Sequence, residues 1–258
     1  MFRIFLRTAN FLVSFIVVFC LFLSGVYAGY ALWDNAQIYS AAENVREDML
    51  KFKPEAGEDG QPPTFDELTA INPDVCAWVT LDNTKIDHPV LQGTDNMSYI
   101  NTDIYGNFSL SGSIFLDSRN SRDFGDAYSL LYGHHMENSG MFGDLDLYKD
   151  SQFFQENTTG RLMLPGLSYE LEIFACLLVD ASDKYIFEPT NWQTDTNALM
   201  DYARENALYF RQEPMNEPEP ENGFKILALS TCSTEFTDAR TVILAFMNPC
   251  QSTTQEGA

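Results

Sequence analysis

Hydrophobic and polar positions alternate in different ways along the chain. Residues 11–33 carry no charged side chain. As a helix rising 1.5 Å per residue, that run is long enough to cross the ~30 Å hydrocarbon layer of a bilayer. Residues 37–53 mix Ala, Glu, Arg and Lys with apolar Ile38, Val45, Met49 and Leu50, which predicts an exposed helix leading off the membrane. From Val75 onward, short apolar runs recur at 75–79, 85–90, 112–116, 128–132, 161–164, 169–179, 224–231 and 241–247, most of them separated by Gly, Asn and Asp. Runs bounded in this way read as strands, and eight of them predict a mainly β domain, a closed barrel or a sandwich. One stretch departs from the pattern. Within 196–212, Leu199, Met200, Tyr202, Ala203, Ala207, Leu208 and Phe210 recur at helical spacing, so one amphipathic helix is expected between late strands.

The punctuation between these patterns sets the domain boundaries. Residues 54–63 are rich in Gly, Pro and acid and read as a linker. Thr-Phe-Asp-Glu at 64–67 is a capping-box pattern ahead of Leu68 and Ile71. A second Pro/Glu-rich loop covers 213–222, and the chain turns polar after Pro249. The expected organisation is a cytoplasmic stub and transmembrane signal-anchor at 1–35, an extracellular helix and linker at 36–63, the β-rich main domain at 64–250 and a disordered tail at 251–258. Arg3 and Arg7 precede the apolar run, while Asp34, Glu43 and Glu47 follow it. The positive flank stays in the cytoplasm, so the reading is a single-pass membrane protein with its C-terminal domain outside. Val26-Tyr27-Ala28 offers small residues for a signal-peptidase cut. The apolar run continues past that point and is long for a secretory leader, which favours a retained anchor.

Composition narrows the function classes. At 45% hydrophobic and 14% aromatic, the chain can build a real core. A formal net charge of −22 argues against nucleic acid as a partner, because a phosphate backbone calls for a basic face. The cysteines, Cys20, Cys76, Cys176, Cys232 and Cys250, are irregularly spaced and form no CxxC pair. That excludes a zinc knuckle and a thioredoxin-like site. The four beyond the apolar run could make two disulfides in an oxidising compartment, but a domain of this size does not need such staples.

Candidate chemistry rests on few residues. The histidines are His88, His134 and His135. His88 sits inside a strand run and reads as a packed strand residue. His134 and His135 follow an apolar strand and Gly133, at a strand end opening into a loop, where catalytic groups are displayed. Side chains of adjacent residues on extended backbone point in opposite directions, so one of the pair can face a cleft, and the alternation does not say which. Cys232 ends the run 224–231. A polar connection leads from it to Arg240, which opens the next run. Two strands so joined pair antiparallel, which brings Arg240 back to the mouth of the hairpin near Cys232. Singly, each is an ordinary buried thiol or strand-end charge. Together, a strand-end Cys, a strand-end His and a returning Arg form a set of nucleophile, acid/base and oxyanion stabiliser. A nearby imidazolium and guanidinium would also favour thiolate over thiol. A metal site is not expected, because vicinal histidines do not easily chelate one ion.

These residues resemble the sortase family, class B. Leu-Ser-Thr-Cys at 229–232 followed by Arg240 is similar to the sortase signature TLxTC with its downstream Arg. Tyr-Gly-His-His-Met at 132–136 resembles the class B histidine motif. Asn-Pro-Asp-Val-Cys-Ala-Trp at 72–78, Ile-Asp-His-Pro-Val at 86–90, Gly-Ser-Ile-Phe-Leu-Asp-Ser-Arg-Asn at 112–120 and Met-Phe-Gly-Asp-Leu at 141–145 carry the likeness across the rest of the domain. Ala228 stands where the signature usually has Thr, four residues before the nucleophile, which implies a packing difference. His88 stands where class B members often have Tyr.

The resemblance implies a closed eight-stranded sortase-type barrel and a thiol transpeptidase that needs no cofactor. Cys232 would attack the carbonyl of a Thr within a C-terminal sorting motif of a surface protein and form a thioester. His134, the histidine directly after Gly133, would protonate the leaving amine and deprotonate the incoming one. Arg240 would hold the oxyanion or the substrate backbone. An amine of a peptidoglycan precursor or of a pilin would resolve the thioester. Ser230, Tyr185 and Ile186 would line the substrate groove. The rival readings are a cysteine endopeptidase that releases its acyl group to water and a non-catalytic surface adhesin on a β-barrel.

Overall fold

Each of the eight predicted runs contains a strand in the computed structural model, which describes residues 2–54, 64–211, 224–233, 235 and 237–250. They are β1 (Val75–Leu81), β2 (Asp87–Leu91), β3 (Ile114–Leu116), β4 (Tyr128–Tyr132), β5 (Thr159–Leu164), β6 (Leu167–Asp180), β7 (Ile226–Cys232) and β8 (Ala239–Pro249). Neighbours around the sheet run β1-β2-β3-β4-β7-β8-β6-β5, and β5 pairs back onto β1. The barrel is therefore closed, which removes the exposed edges that an open sandwich would leave. Most pairs are antiparallel; β2–β3 and β4–β7 are parallel.

The chain forms two compact units, residues 1–41 and 42–258. In the first unit the helix α1 (Phe2–Leu50) begins, and its apolar stretch has a mean hydropathy of 2.5 with its side chains exposed. It is long and apolar enough to cross a membrane. In the second unit the last turns of α1 are not the exposed helix that the mixed composition predicts. Met49 is 1% exposed and packs with Leu68, Val75 and Trp78. Lys53 pairs with Asp87 at 2.8 Å, and Asp87 also accepts from Trp78 Nε1 at 2.6 Å.

The helix α2 (Asp66–Ile71) begins one residue later than a full capping box would place it. Thr64 Oγ1 accepts from the Asp66 N–H at 3.4 Å, and Phe65 occupies the N-cap position. Residues 55–63 of the linker expected at 54–63, the loop of 213–222 and the tail of 251–258 lie outside the described residues. A short α3 (Ser151–Glu156) and a single-turn α4 (Lys184–Phe187) precede α5 (Asn197–Asn206), the helix expected between late strands. α5 is shorter than its apolar spacing predicts. Tyr209–Phe210 forms a short strand on β6, with Phe210 opposite Ala175, and Leu208 is 48% exposed. Sheet pairing and a T-shaped contact between Phe210 and Phe174 hold the end of that stretch extended.

The late strands are buried on both faces, which is why they read as unbroken apolar runs rather than as an alternation. Tyr128, Leu130, Ile226, Ala228, Val242 and Leu244 form one cluster with Leu199 and Ala203 of α5. Their neighbours Leu131, Leu227, Leu229 and Ile243 are equally buried on the other face, which lines the barrel. Ala228, the departure from the signature, packs at 0% exposure in the cluster against α5.

His88 is a packed strand residue, as its sequence context predicts: it is 5% exposed. Its Nε2 is buried without a partner among the described residues, beside a cavity of about 30 Å³ that Arg46 and Asp103 also line. Burial, and next the Arg46 charge, push its pKa down from 6.5 to about 4, against the opposing pull of Asp87 and Glu43. The unfolded chain takes up this proton below pH 6.5, whereas the folded chain does so only near pH 4. The stability tied to neutral His88 is therefore complete above pH 6.5 and is lost as pH falls through that window. At ~1.4 kcal/mol per tenfold in proton affinity, the effect is about 3 kcal/mol. The melting temperature should fall between pH 7 and 4, and less steeply in His88→Met. Equal falls in both proteins would place the acid sensitivity elsewhere.

Candidate active site

Period two decides which side chains of β7 leave the core. Ile226 and Ala228 face the α5 cluster, so Ser230 and Cys232 lie on the same face of the strand. Ser230 is 2% exposed, whereas Cys232 at the strand end is exposed. β8 returns antiparallel with Arg240 directly opposite Cys232. β4 runs parallel to β7 with Tyr132 opposite Ser230, so two residues further on His134 leaves β4 where Cys232 ends β7.

These side chains meet in a cavity of about 270 Å³. His134, Cys232 and Arg240 line it, together with Ser230, Thr231 and Gly133; Ile100, Phe115, Tyr132, Ala181 and Phe187 add an apolar wall. A wider groove of about 780 Å³ along Thr80, Asp82, Arg161 and Glu170 contains none of the predicted site residues. Gly133 lets Ile114 and Phe142 pack against the chain just after β4. A Cβ there would lie 2.4 Å from Ile114 Cδ1 and 2.7 Å from the Phe142 ring. Its N–H donates to the Ser230 carbonyl at 3.1 Å, tying the two strand ends together.

His134 and His135 diverge as alternation requires. His134 Nε2 is 2.7 Å from the Ile100 carbonyl. A carbonyl only accepts, so Nε2 carries the proton and Nδ1 is the nitrogen left to exchange one. His135 Nε2 donates instead to the Asp146 carboxylate at 3.1 Å. Arg240 Nη1 donates to the Ala239 carbonyl at 2.9 Å. Burial pushes the thiols of Cys76 and Cys176 up to about 12, so both remain protonated at neutral pH. All five cysteines are free. Among the described residues, no group of three His, Cys, Asp or Glu could hold a metal ion.

The apolar wall departs from the expected groove. Ser230 lines the cavity, with its Oγ buried and unpartnered among the described residues. Tyr185 does not line the cavity; it is 46% exposed and stacks on Tyr202 at 4.4 Å and on Trp192 at 5.8 Å between ring centroids. Ile186 is fully buried in the α5 cluster. Of the single turn of α4, it is Phe187 that reaches the cavity. Arg119 pins that wall by donating to the Phe187 carbonyl at 2.8 Å and to Glu188 at 2.7 Å. Asp117, with no exposed side-chain surface, accepts from Arg119 and from Tyr132 Oη at 2.9 Å. Burial opposes its charge, but these hydrogen bonds outweigh burial and hold its carboxyl below the ordinary value. Asp117 and Arg119 lie within the recognisable string 112–120, so the signal for them was present. The Ile100 carbonyl has no such signal, because every residue carries one.

No family model matches the chain. Sortase B of Listeria monocytogenes is 29% identical over 222 residues, covering 85% of this chain and 88% of that protein. The crystal structure of a Streptococcus pyogenes class B sortase involved in pilus biogenesis is 36% identical, with a TM-score of 0.65, covering 72% of this chain and 98% of that one. Clostridium perfringens sortase B is 31% identical with a TM-score of 0.63, covering 71% and 99%. The likeness extends over nearly the whole of each solved chain and includes the closed barrel. On that combination of sequence identity and shared architecture, this chain belongs to the class B sortase family.

Proposed function

We propose that the chain is a transpeptidase that cuts a C-terminal sorting motif of a surface protein after its Thr. The acyl group then passes through a thioester on Cys232 to an amine of a peptidoglycan precursor or a pilin. The observation that carries this reading is the convergence of Cys232, His134 and Arg240, from three separate strand ends, on one cavity.

In the first step the Cys232 thiol passes its proton to His134 Nδ1, its sulfur bonds to the Thr carbonyl carbon, and the carbonyl electrons move onto oxygen. Arg240, opposite Cys232, supplies a fork of N–H donors to that oxyanion. Collapse breaks the C–N bond, and the leaving amine takes a proton from His134. In the second step an incoming amine gives up a proton to His134, attacks the thioester carbon and expels the Cys232 thiolate. The Ile100 carbonyl holds Nε2–H, so Nδ1 is the exchanging position. Ser230, Phe187 and the apolar wall would seat the motif. The flanks of the apolar helix, Arg3 and Arg7 before it and Asp34 after it, support an N-terminus in the cytoplasm and a catalytic domain outside.

Incubation with a library of sorting-motif peptides and an amine acceptor should yield cleavage after Thr and a product joined to the amine. Release to water alone would make the chain an endopeptidase, and the absence of both cleavage and adduct would leave the adhesin reading. In the same assay Arg240→Lys should lose most activity, because a point charge cannot reproduce the planar fork. Near-normal turnover in that variant would remove Arg240 from the mechanism.

A further inference from the structure

We infer that Asp146, with Lys149, is a positioning residue that braces the nucleophile, the acid/base and the oxyanion donor at once through their immediate chain neighbours. This rests on the catalytic reading above. Asp146 and Lys149 sit on the 3-10 turn Gly143–Lys149, which packs against the ends of β7 and β8. Asp146 Oδ1 accepts from Thr241 Oγ1 at 2.9 Å, and Thr241 follows Arg240. Asp146 Oδ2 accepts from His135 Nε2 at 3.1 Å, and His135 follows His134. Lys149 Nζ lies 3.0 Å from the same carboxylate and donates to Ser233 Oγ at 3.4 Å, and Ser233 follows Cys232.

The geometry gives this brace its character. Neighbouring side chains on extended backbone point to opposite sides. A grip on Thr241 and His135 therefore holds Arg240 and His134 from behind, while the cavity in front stays open. Asp146 and Lys149 are not among the residues lining that cavity. Thr241 is fully buried, so its hydroxyl fixes Asp146 Oδ1 at a defined place. Lys149 is held charged between Asp146 and Glu235, whose hydrogen bonds outweigh the cost of its partial burial. The Asp146 and Lys149 side chains are 30% and 22% exposed. A pair so placed contributes little to stability, whereas a misplacement of about 1 Å at the reacting groups can cost on the order of a hundredfold in rate.

The test compares peptide transpeptidation by the wild type, Asp146→Ala, Asp146→Asn, Thr241→Val and the double variant Asp146→Ala/Thr241→Val. Asp146→Ala should lower kcat roughly ten- to a hundredfold with KM changed less than about twofold. Asp146→Asn keeps an oxygen acceptor for Thr241 and should recover part of the loss. Thr241→Val should reproduce part of it, and the double variant should be no worse than Asp146→Ala, because both changes cut the same link. The melting temperature and the stoichiometry of Cys232 alkylation should stay near wild type. A fall in melting temperature with unchanged turnover per alkylatable site would reduce Asp146 to a structural role and overturn the inference. So would additive losses in the double variant. A wild type that forms no Cys232 thioester would remove the catalytic reading and this inference with it, whereas an active wild type matched by an equally active Asp146→Ala would remove the inference alone.

Discussion

Cys232→Ala should abolish the covalent acyl-enzyme outright, while alanine at Cys76, Cys176 or Cys250 should leave acylation intact. Cys76 and Cys176 are buried, and desolvation raises both thiols to about 12. Neither presents a thiolate at neutral pH, and neither lines the cavity that holds His134. Cys250 is exposed but follows the far end of β8, whose near end carries Arg240. At ~3.3 Å per residue along a strand, Cys250 lies roughly 30 Å from the site. Cys232 alone combines exposure, a strand-end position, Arg240 directly opposite and His134 in the same cavity. The measurement is mass spectrometry of each variant after incubation with a Thr-containing sorting peptide and no amine. An adduct surviving on Cys232→Ala would end the thioester mechanism, even though membership of the family would stand.

As a class B sortase, the chain belongs to a family of cysteine transpeptidases of the cell surface. Much of the route to that statement was legible because burial on both faces leaves a strong mark. β7 and β8 are buried against the barrel interior and against α5, so they stand out as apolar runs with polar breaks at Cys232 and before Arg240. The hairpin between them then follows from connection length alone. Local pattern failed where an element's state depends on a distant partner. Leu208 and Phe210 extend the helical spacing of α5, yet pairing with Ala175 and Cys176 of β6 draws Tyr209–Phe210 into a strand. The resemblance puts Tyr185 and Ile186 in the groove; of the turn α4, the residue that lines this cavity is Phe187, while Ile186 is buried against α5 and Tyr185 is 46% exposed.

The supporting residues were the least visible. Asp146 is 95 positions from Thr241 in sequence, and the Ile100 carbonyl is 34 from His134. A short 3-10 turn such as Gly143–Lys149 has no long period to mark its buried face. Its acidic and basic residues read equally well as solvated charge. What identifies them is register: once Cys232 faces Arg240 and Tyr132 faces Ser230, the neighbours Ser233, Thr241 and His135 must face the other way, and that side is where Asp146 and Lys149 stand.

The same register separates the two histidines, which sequence alone could not. His134→Ala should cut transpeptidation by about 10²–10⁴, the range for a positioned proton transfer. His134 lines the cavity with Cys232, and its Nε2–H on the Ile100 carbonyl fixes the ring and leaves Nδ1 as the nitrogen that would carry the proton in the proposed mechanism. His135 faces Asp146 instead, with its side chain about a quarter exposed. His135→Ala removes one of the three contacts to Asp146 and leaves those from Thr241 and Lys149, so it should cost far less, with kcat lowered by roughly tenfold at most. Covalent trapping of the sorting peptide, followed by release with an amine, resolves the two steps. His134→Ala should be slow in both, since the leaving amine needs a proton in the first and the incoming amine must lose one in the second. An inactive His135→Ala beside an active His134→Ala would reverse the assignment and leave the barrel and the Cys232–Arg240 hairpin as they are. Equal losses in both would point to a shared structural role for the loop and would leave the acid/base unassigned to either histidine.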